Sequence, residues 1–229
     1  MKIYFEFLLL LPILLFTPNN VLAQINAIKQ NKYYPLNQDK IFVYNSNMGK
    51  AVKSIEKNDS LFLVTNKTSK FIYTQSLIEK QDGIYLLKTE QKVDVLFFSK
   101  DINITYSEPV LQLPNPATIG FVWEWQGFQI KNGDTTLVYL KGKILDEEIV
   151  EVPAGKFNTI KIKMDFKEKG GEHTTIFKWL SVDVGNVKSK IIIEGSGILQ
   201  IAMSLLGYDV IESELKEIKA KVSEKPETY

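Results

Sequence analysis

The sequence predicts a mostly β protein, an antiparallel meander forming a curved sheet or an incomplete barrel. Three observations predict it. Ile160, Ile162, Met164 and Phe166 alternate with Lys161, Lys163, Asp165 and Lys167, the period-two signature of a strand with one wet face. Turn-forming pairs, Asp82-Gly83, Asn132-Gly133 and Gly170-Gly171, recur between such stretches. The stretch 149–166 reads as a hairpin whose corner is set by Pro153, with Gly155 two residues on taking the left-handed conformation. Phe157 lies on the opposite parity from Ile160, which predicts a bulge near Asn158 or Thr159.

The first residues carry their own pattern: Lys2, an apolar run over 7–16, a polar stretch, then Val21, Leu22 and Ala23. That order predicts a secretory signal peptide over 1–23, cleaved after Ala23 so that the mature chain starts at Gln24. Ten apolar residues are too few to span a bilayer, so no transmembrane span is expected in the mature chain. The protein is therefore expected to be exported, either periplasmic or secreted. It has no cysteine, which excludes disulfides, thiol chemistry and lipid attachment through an N-terminal cysteine.

Residues 24–32 are polar and are expected to form a loose N-terminal arm. A single β domain is expected over 33–222, followed by a disordered tail over 223–229. Strand candidates in order are 41–44, 51–56, 60–65, 70–79, 84–91, 93–99 and 102–106. The stretch 108–118, with Pro109, Pro114 and Pro116, divides halves 33–107 and 119–222. Beyond it, 121–130, 135–145, the hairpin 149–166, 174–180 and 187–194 are the further strands. The segment 208–222 carries two signals. Ile211, Leu215, Ile218 and Val222 have helical spacing, whereas the strand before the segment needs a partner, and the strand reading is preferred. An internal echo sets PLNQDKIFVY (35–44) over PATIGFVWEW (116–125), pointing to a two-fold pseudo-repeat.

Composition narrows the chemistry. A net charge of +1 gives no reason to expect nucleic acid, and all 28 basic residues are lysine, so the bidentate grip that arginine provides is missing. The single histidine, His173, reads as a solvated turn residue, and a zinc site would need further ligands at suitable spacing. No nucleophile elbow, Walker loop or dinucleotide fingerprint is present. The acid run 146–148 lacks the alternation of a calcium loop and reads as an exposed connection. No catalytic residue, metal site or cofactor is expected. Trp123 and Trp125 share one strand face, with Glu124 on the other; Trp179 is expected to anchor the core of its own strand.

Several stretches occur in an order that resembles an uncharacterised family of exported bacterial β-proteins, a domain of unknown function. They are YYPL, DGIYLL, PVLQLPNPATIGFVWEW, VEVPAGKFNTIKIK and FKWLSVDVGNVKSKI, spanning 33–193. The family carries a YxPLxxGxxWxY opening, a VPAGTF hairpin and a W(Y/F)APGVGLVK closing strand. Asp39 and Phe42 stand where the opening has glycine and tryptophan, and 180–183 departs from the closing motif. The resemblance implies a folded antiparallel sheet similar to lipocalin-like or lipoprotein-carrier half-barrels, and it carries over no catalytic residue.

The leading expectation is a non-enzymatic binding protein whose concave face, carrying Trp123, Trp125, Ile160, Ile162 and Met164, holds an apolar small molecule or a partner's segment. The alternative is a structural or interaction component of the cell envelope that docks on another envelope protein or a membrane through a strand edge or the apolar run 198–206. A glycosidase working with two carboxylates is the third, and no pair of acids in the sequence recommends it.

Overall fold

The computed structural model describes residues 31–95, 98–195 and 207–221. The signal segment with its cleavage after Ala23, the arm up to residue 30, the apolar run 198–206 and the tail 223–229 lie outside these residues. Twelve strands follow one another: β1 (Lys40–Ser46), β2 (Gly49–Asn58), β3 (Leu61–Lys67), β4 (Phe71–Lys80), β5 (Gly83–Val95), β6 (Phe98–Pro114), β7 (Val122–Lys131), β8 (Asp134–Val152), β9 (Gly155–Glu168), β10 (His173–Ser181), β11 (Gly185–Glu194) and β12 (Val210–Ala220). Each pairs with the next, and β1 pairs antiparallel with β12, so the sheet closes into a barrel. The expected mostly β antiparallel meander is what forms, and its curvature carries through to full closure. The two segments of the internal echo lead into β1 and β7, the first strands of two successive runs of six.

Closure depends on the segment with the mixed signal. A bulge in β12 places Leu215 opposite Tyr44 and Glu217 opposite Val43, leaving Lys216 as the extra residue. One extra residue breaks a period of two in mid-strand, and the apolar spacing then imitates that of a helix. At the β7–β8 turn, Asn132 and Gly133 take φ of 52° and 98°, both in the left-handed region that a two-residue hairpin of matching twist demands.

Other boundaries moved. The stretch 93–99 is not one strand: Val95 pairs with Phe98, so the chain reverses inside an apolar run that has no turn former to announce it. β8 absorbs the acid run 146–148, which is part of a strand and not a connection. The β8–β9 register runs unbroken through Asn158 and Thr159, and the irregularity falls between Ile144 and Asp146 on the partner strand. β6 continues to Pro114, which shortens the crossing between the halves.

One end of the barrel is plugged. The Asn31 backbone N–H donates to Glu79 Oε1 (2.9 Å), its side-chain amide donates to Pro114 O (3.2 Å), and Asp183 N–H donates to Lys32 O (2.8 Å). The described end of the expected loose arm is thus tied down. Tyr34 and Leu36 then enter a core formed with Ile55, Leu77, Ile84, Leu113, Ile144, Ile160, Ile162 and Leu180. A second cluster joins Phe42, Tyr44, Trp179, Val187 and Leu215 to Val150 and Val152 of the β8–β9 hairpin. The hairpin tip reaches β12 there, with Ala154 N–H donating to Leu215 O (3.0 Å).

Candidate functional site in the barrel lumen

Register decides which side chains face inward. Ile160, Ile162 and Met164 of β9 are at most 1% exposed. On one side they stand opposite Leu180, Lys178 and Ile176 of β10. On the other, Met164 stands opposite Gly142 and Ile162 opposite Ile144 of β8. Continued around the barrel, the same parity turns Trp125 and Gln129 of β7, Tyr106 of β6, Thr89 of β5, Tyr73 and Gln75 of β4, Val64 of β3, Lys53 of β2 and Tyr44 of β1 into the lumen. Side chains of about eight strands suffice to fill a barrel, and twelve strands enclose more room than that.

The lumen is accordingly packed in one half and open in the other. Phe62, Tyr106, Trp125, Phe166 and Ile176 are only partly buried and lie against the core that surrounds the plug. Tyr73, Lys178 and Ile191 face inward and are also only half-buried. Away from the plug these partly exposed inward side chains border the less tightly packed half of the lumen, whereas Phe62 lies level with Leu77 and Lys57 beside the β2–β3 turn at the plugged end. Polar atoms on that face, Trp125 Nε1, Thr89 Oγ1 and Gln129 Nε2, are buried without a hydrogen-bond partner.

Two lysines stand in this apolar setting. Lys53 is 6% exposed, its ammonium 5.1 Å from the centroid of the Phe42 ring and 5.4 Å from that of Tyr34. Lys178 projects between Ile176 and Leu180 on the same face of β10. Among the described residues no carboxylate lies within ion-pair distance of either ammonium. Burial lowers both to about 8 from the ordinary 10.5, and for Lys53 the charge of Lys178 adds to the effect. Burial likewise pushes Tyr34 and Tyr106 up to about 12, and Tyr44 and Tyr73 higher still.

All five residues expected on a concave face are on the inner face, but they divide. Trp123, Ile160, Ile162 and Met164 are buried in the packed half; the Trp123 indole lies over Gly142 and donates to Leu111 O (3.0 Å). Trp125 borders the open half, its ring edge-on to Tyr106 at 5.9 Å between centroids. Sequence reasoning missed Lys53 and Lys178, although a signal was present: Ala51-Lys53-Ile55 and Ile176-Lys178-Leu180 each put a lysine on an apolar parity.

Outside the barrel, His173 is not a free turn residue. It opens β10 with Nδ1 2.9 Å from Glu194 and Nε2 3.6 Å from Asp165, which also accepts from Thr175 Oγ1 (2.8 Å). Among the described residues there is no group of three metal-ligating side chains. Trp179 is on the outer face, donating to Glu148 Oε1 (2.6 Å) with the Lys161 ammonium 4.9 Å from its centroid. Among the described residues no helix is long and apolar enough to cross a membrane.

No protein family matches the sequence, and no curated protein matches it. Among solved structures, it is similar to a candidate lipoprotein from Parabacteroides distasonis (12% identity, TM-score 0.43, covering 82% of this chain and 99% of that one). It is also similar to a candidate exported protein with a YmcC-like fold from Bacteroides fragilis (12% identity, TM-score 0.43, covering 83% of this chain and 100% of that one). At that TM-score neither likeness assigns a function to this chain.

Proposed function

We propose that the protein is an exported, non-enzymatic binding protein that holds an apolar ligand in the open half of its barrel. The observation that carries this reading is the set of inward, partly exposed aromatic and aliphatic side chains, Tyr73, Tyr106, Trp125, Phe166 and Ile176, resting on a packed floor. Well-packed interiors do not leave such groups to water, and apolar pockets with a few convergent polar groups are the usual form of a small-molecule site. The order of the leader over 1–23 supports export, to the periplasm or beyond the cell. Native mass spectrometry of the protein, purified gently from its own host, tests the reading. An added mass that is lost on denaturation is expected; a bare chain that also fails to take up any hydrophobic probe would refute it.

A second reading, docking on another envelope protein, is favoured by the outer face of β7 and β8, where Phe128, Ile130 and Tyr139 are 51%, 42% and 45% exposed. Docking through the edge of an open sheet is set aside, because closure pairs β1 with β12. Replacing Phe128 and Ile130 by serine abolishes partner association on this reading and leaves ligand uptake unchanged.

A further inference from the structure

We propose that the lumen binds an amphiphile by its anionic head, a carboxylate or a phosphate, seated between Lys53 and Lys178 at the floor, with the apolar tail running up past Tyr106, Trp125, Phe166 and Ile176. This inference rests on the reading of the lumen as a ligand site and deepens it.

Three observations converge on an anion. A buried ammonium is normally compensated by a carboxylate, because desolvating it costs several kcal/mol. Here the buried Lys53 and the half-buried Lys178 share one inner face with no acid within ion-pair distance among the described residues, and the charge of Lys178 bears on Lys53. An anion between them removes the repulsion and supplies both missing partners with charge-assisted hydrogen bonds. The groups around them do not compete for it. The side chains that face the pair are Tyr34 from the plug, Phe42 and Tyr44 from β1, and Tyr73 and Tyr106 farther along the tyrosine chain; the tyrosines stay neutral well above pH 7. The inward carboxylate Glu168 acts on Tyr106 and not on either lysine.

The surroundings choose an amphiphile over a free ion. A head at the level of Lys178 is overlain by Ile176, and beyond it the inner face carries Phe166, Trp125 and Tyr106 together with the polar Gln129 and Glu168.

Isothermal titration calorimetry of the full mature chain with dodecanoate, dodecyl phosphate, dodecanol and inorganic phosphate tests the proposal. At least one anionic amphiphile is expected to bind about ten-fold or more tighter than dodecanol, the worth of a charge-assisted contact. Preference between the two anionic heads identifies the carboxylate or the phosphate as the natural one. Lys178→Met and Lys53→Met should each weaken that ligand about ten-fold and leave dodecanol unchanged, with Lys178→Arg restoring affinity. Methionine keeps an unbranched stem in place and removes a buried charge, so the barrel should survive, which far-UV circular dichroism verifies. Affinity of the wild type for dodecanoate should fall between pH 7 and 10 as the lysines lose their protons, while the double Met variant shows no such fall. Dodecanol binding as tightly as dodecanoate, with the lysine variants silent, would overturn the head-group assignment and leave the lumen reading standing. Inorganic phosphate binding as tightly as dodecyl phosphate would overturn the amphiphile. Failure of all three dodecyl compounds to bind would overturn the lumen reading itself.

Discussion

Lys53 of β2 carries its ammonium 5.4 Å from the ring centroid of Tyr34, a residue of the segment that plugs the barrel. The contact joins wall to plug at the point where the packed core gives way to the lumen. Tyr34 is 7% exposed and belongs to the core cluster, so Tyr34→Ala should cost about 3–5 kcal/mol, as truncation of a large buried aromatic does. Tyr139→Ala, at an exposed position on β8, should cost less than about 0.5 kcal/mol. Urea unfolding of both variants measures the difference.

Stability should rise with pH over an unusual range. Lys53 and Lys178 titrate near 8 in the folded protein and near 10.5 when unfolded, so between these values the unfolded chain binds more protons and rising pH favours the fold. For Lys53 alone the gain is about 3 kcal/mol over the window. Tyr34 and Tyr106 act in the opposite sense: their folded values are near 12 against an ordinary 10.0, so the stability they contribute is lost above pH 10. A maximum near pH 10 is expected in urea midpoints measured from pH 7 to 11. Lys178→Met should raise stability at pH 7 and flatten the rise.

The β8–β9 hairpin tip should prove necessary for closure. Leu215 is fully buried beneath it, whereas Ile218, on the same strand, is 37% exposed. Leu215→Ala should cost about 2–5 kcal/mol and Ile218→Ala less than about 1 kcal/mol. Hydrogen exchange at Ala154, whose N–H donates to Leu215 O, should accelerate in Leu215→Ala only.

Gly142 tests the packed half of the lumen. A Cβ there would stand 2.0 Å from Trp123 Cε2, and the indole cannot retreat without giving up its 3.0 Å bond to Leu111 O. Gly142→Ala should cost about 1–3 kcal/mol, the usual penalty for forcing atoms into a packed core, and should shift the emission of Trp123.

The β class and most turns could be read from period-two alternation and from pairs such as Asn132-Gly133, because those signals are local. The β5–β6 reversal was hidden by a run of apolar residues, and the strand character of 208–222 was blurred by the bulge at Lys216. Closure itself is a pairing between the two ends of the domain, which no local pattern encodes. The inner face carrying Trp125 was legible from parity alone. The burial of Lys53 and Lys178 was not, since an alternating strand with a lysine reads equally as a strand with one wet face until its neighbours are known. Which of Trp123, Ile160, Ile162 and Met164 would pack solidly depends on where the plug sits, and that is fixed by contacts of Asn31 with Glu79 and Pro114 far along the chain.

The central claim, a ligand space inside the barrel bordered by Trp125, is tested most directly by fluorescence quenching with a brominated dodecanoate. Bromine quenches tryptophan only at close range, and Trp125 and Trp179 lie on opposite faces of the sheet. The account predicts saturable quenching that Trp125→Phe sharply reduces, with any remainder coming from Trp123 on the same inner face, and that Trp179→Phe leaves intact. Quenching that survives Trp125→Phe and disappears with Trp179→Phe would place the ligand on the outside of the barrel and contradict it.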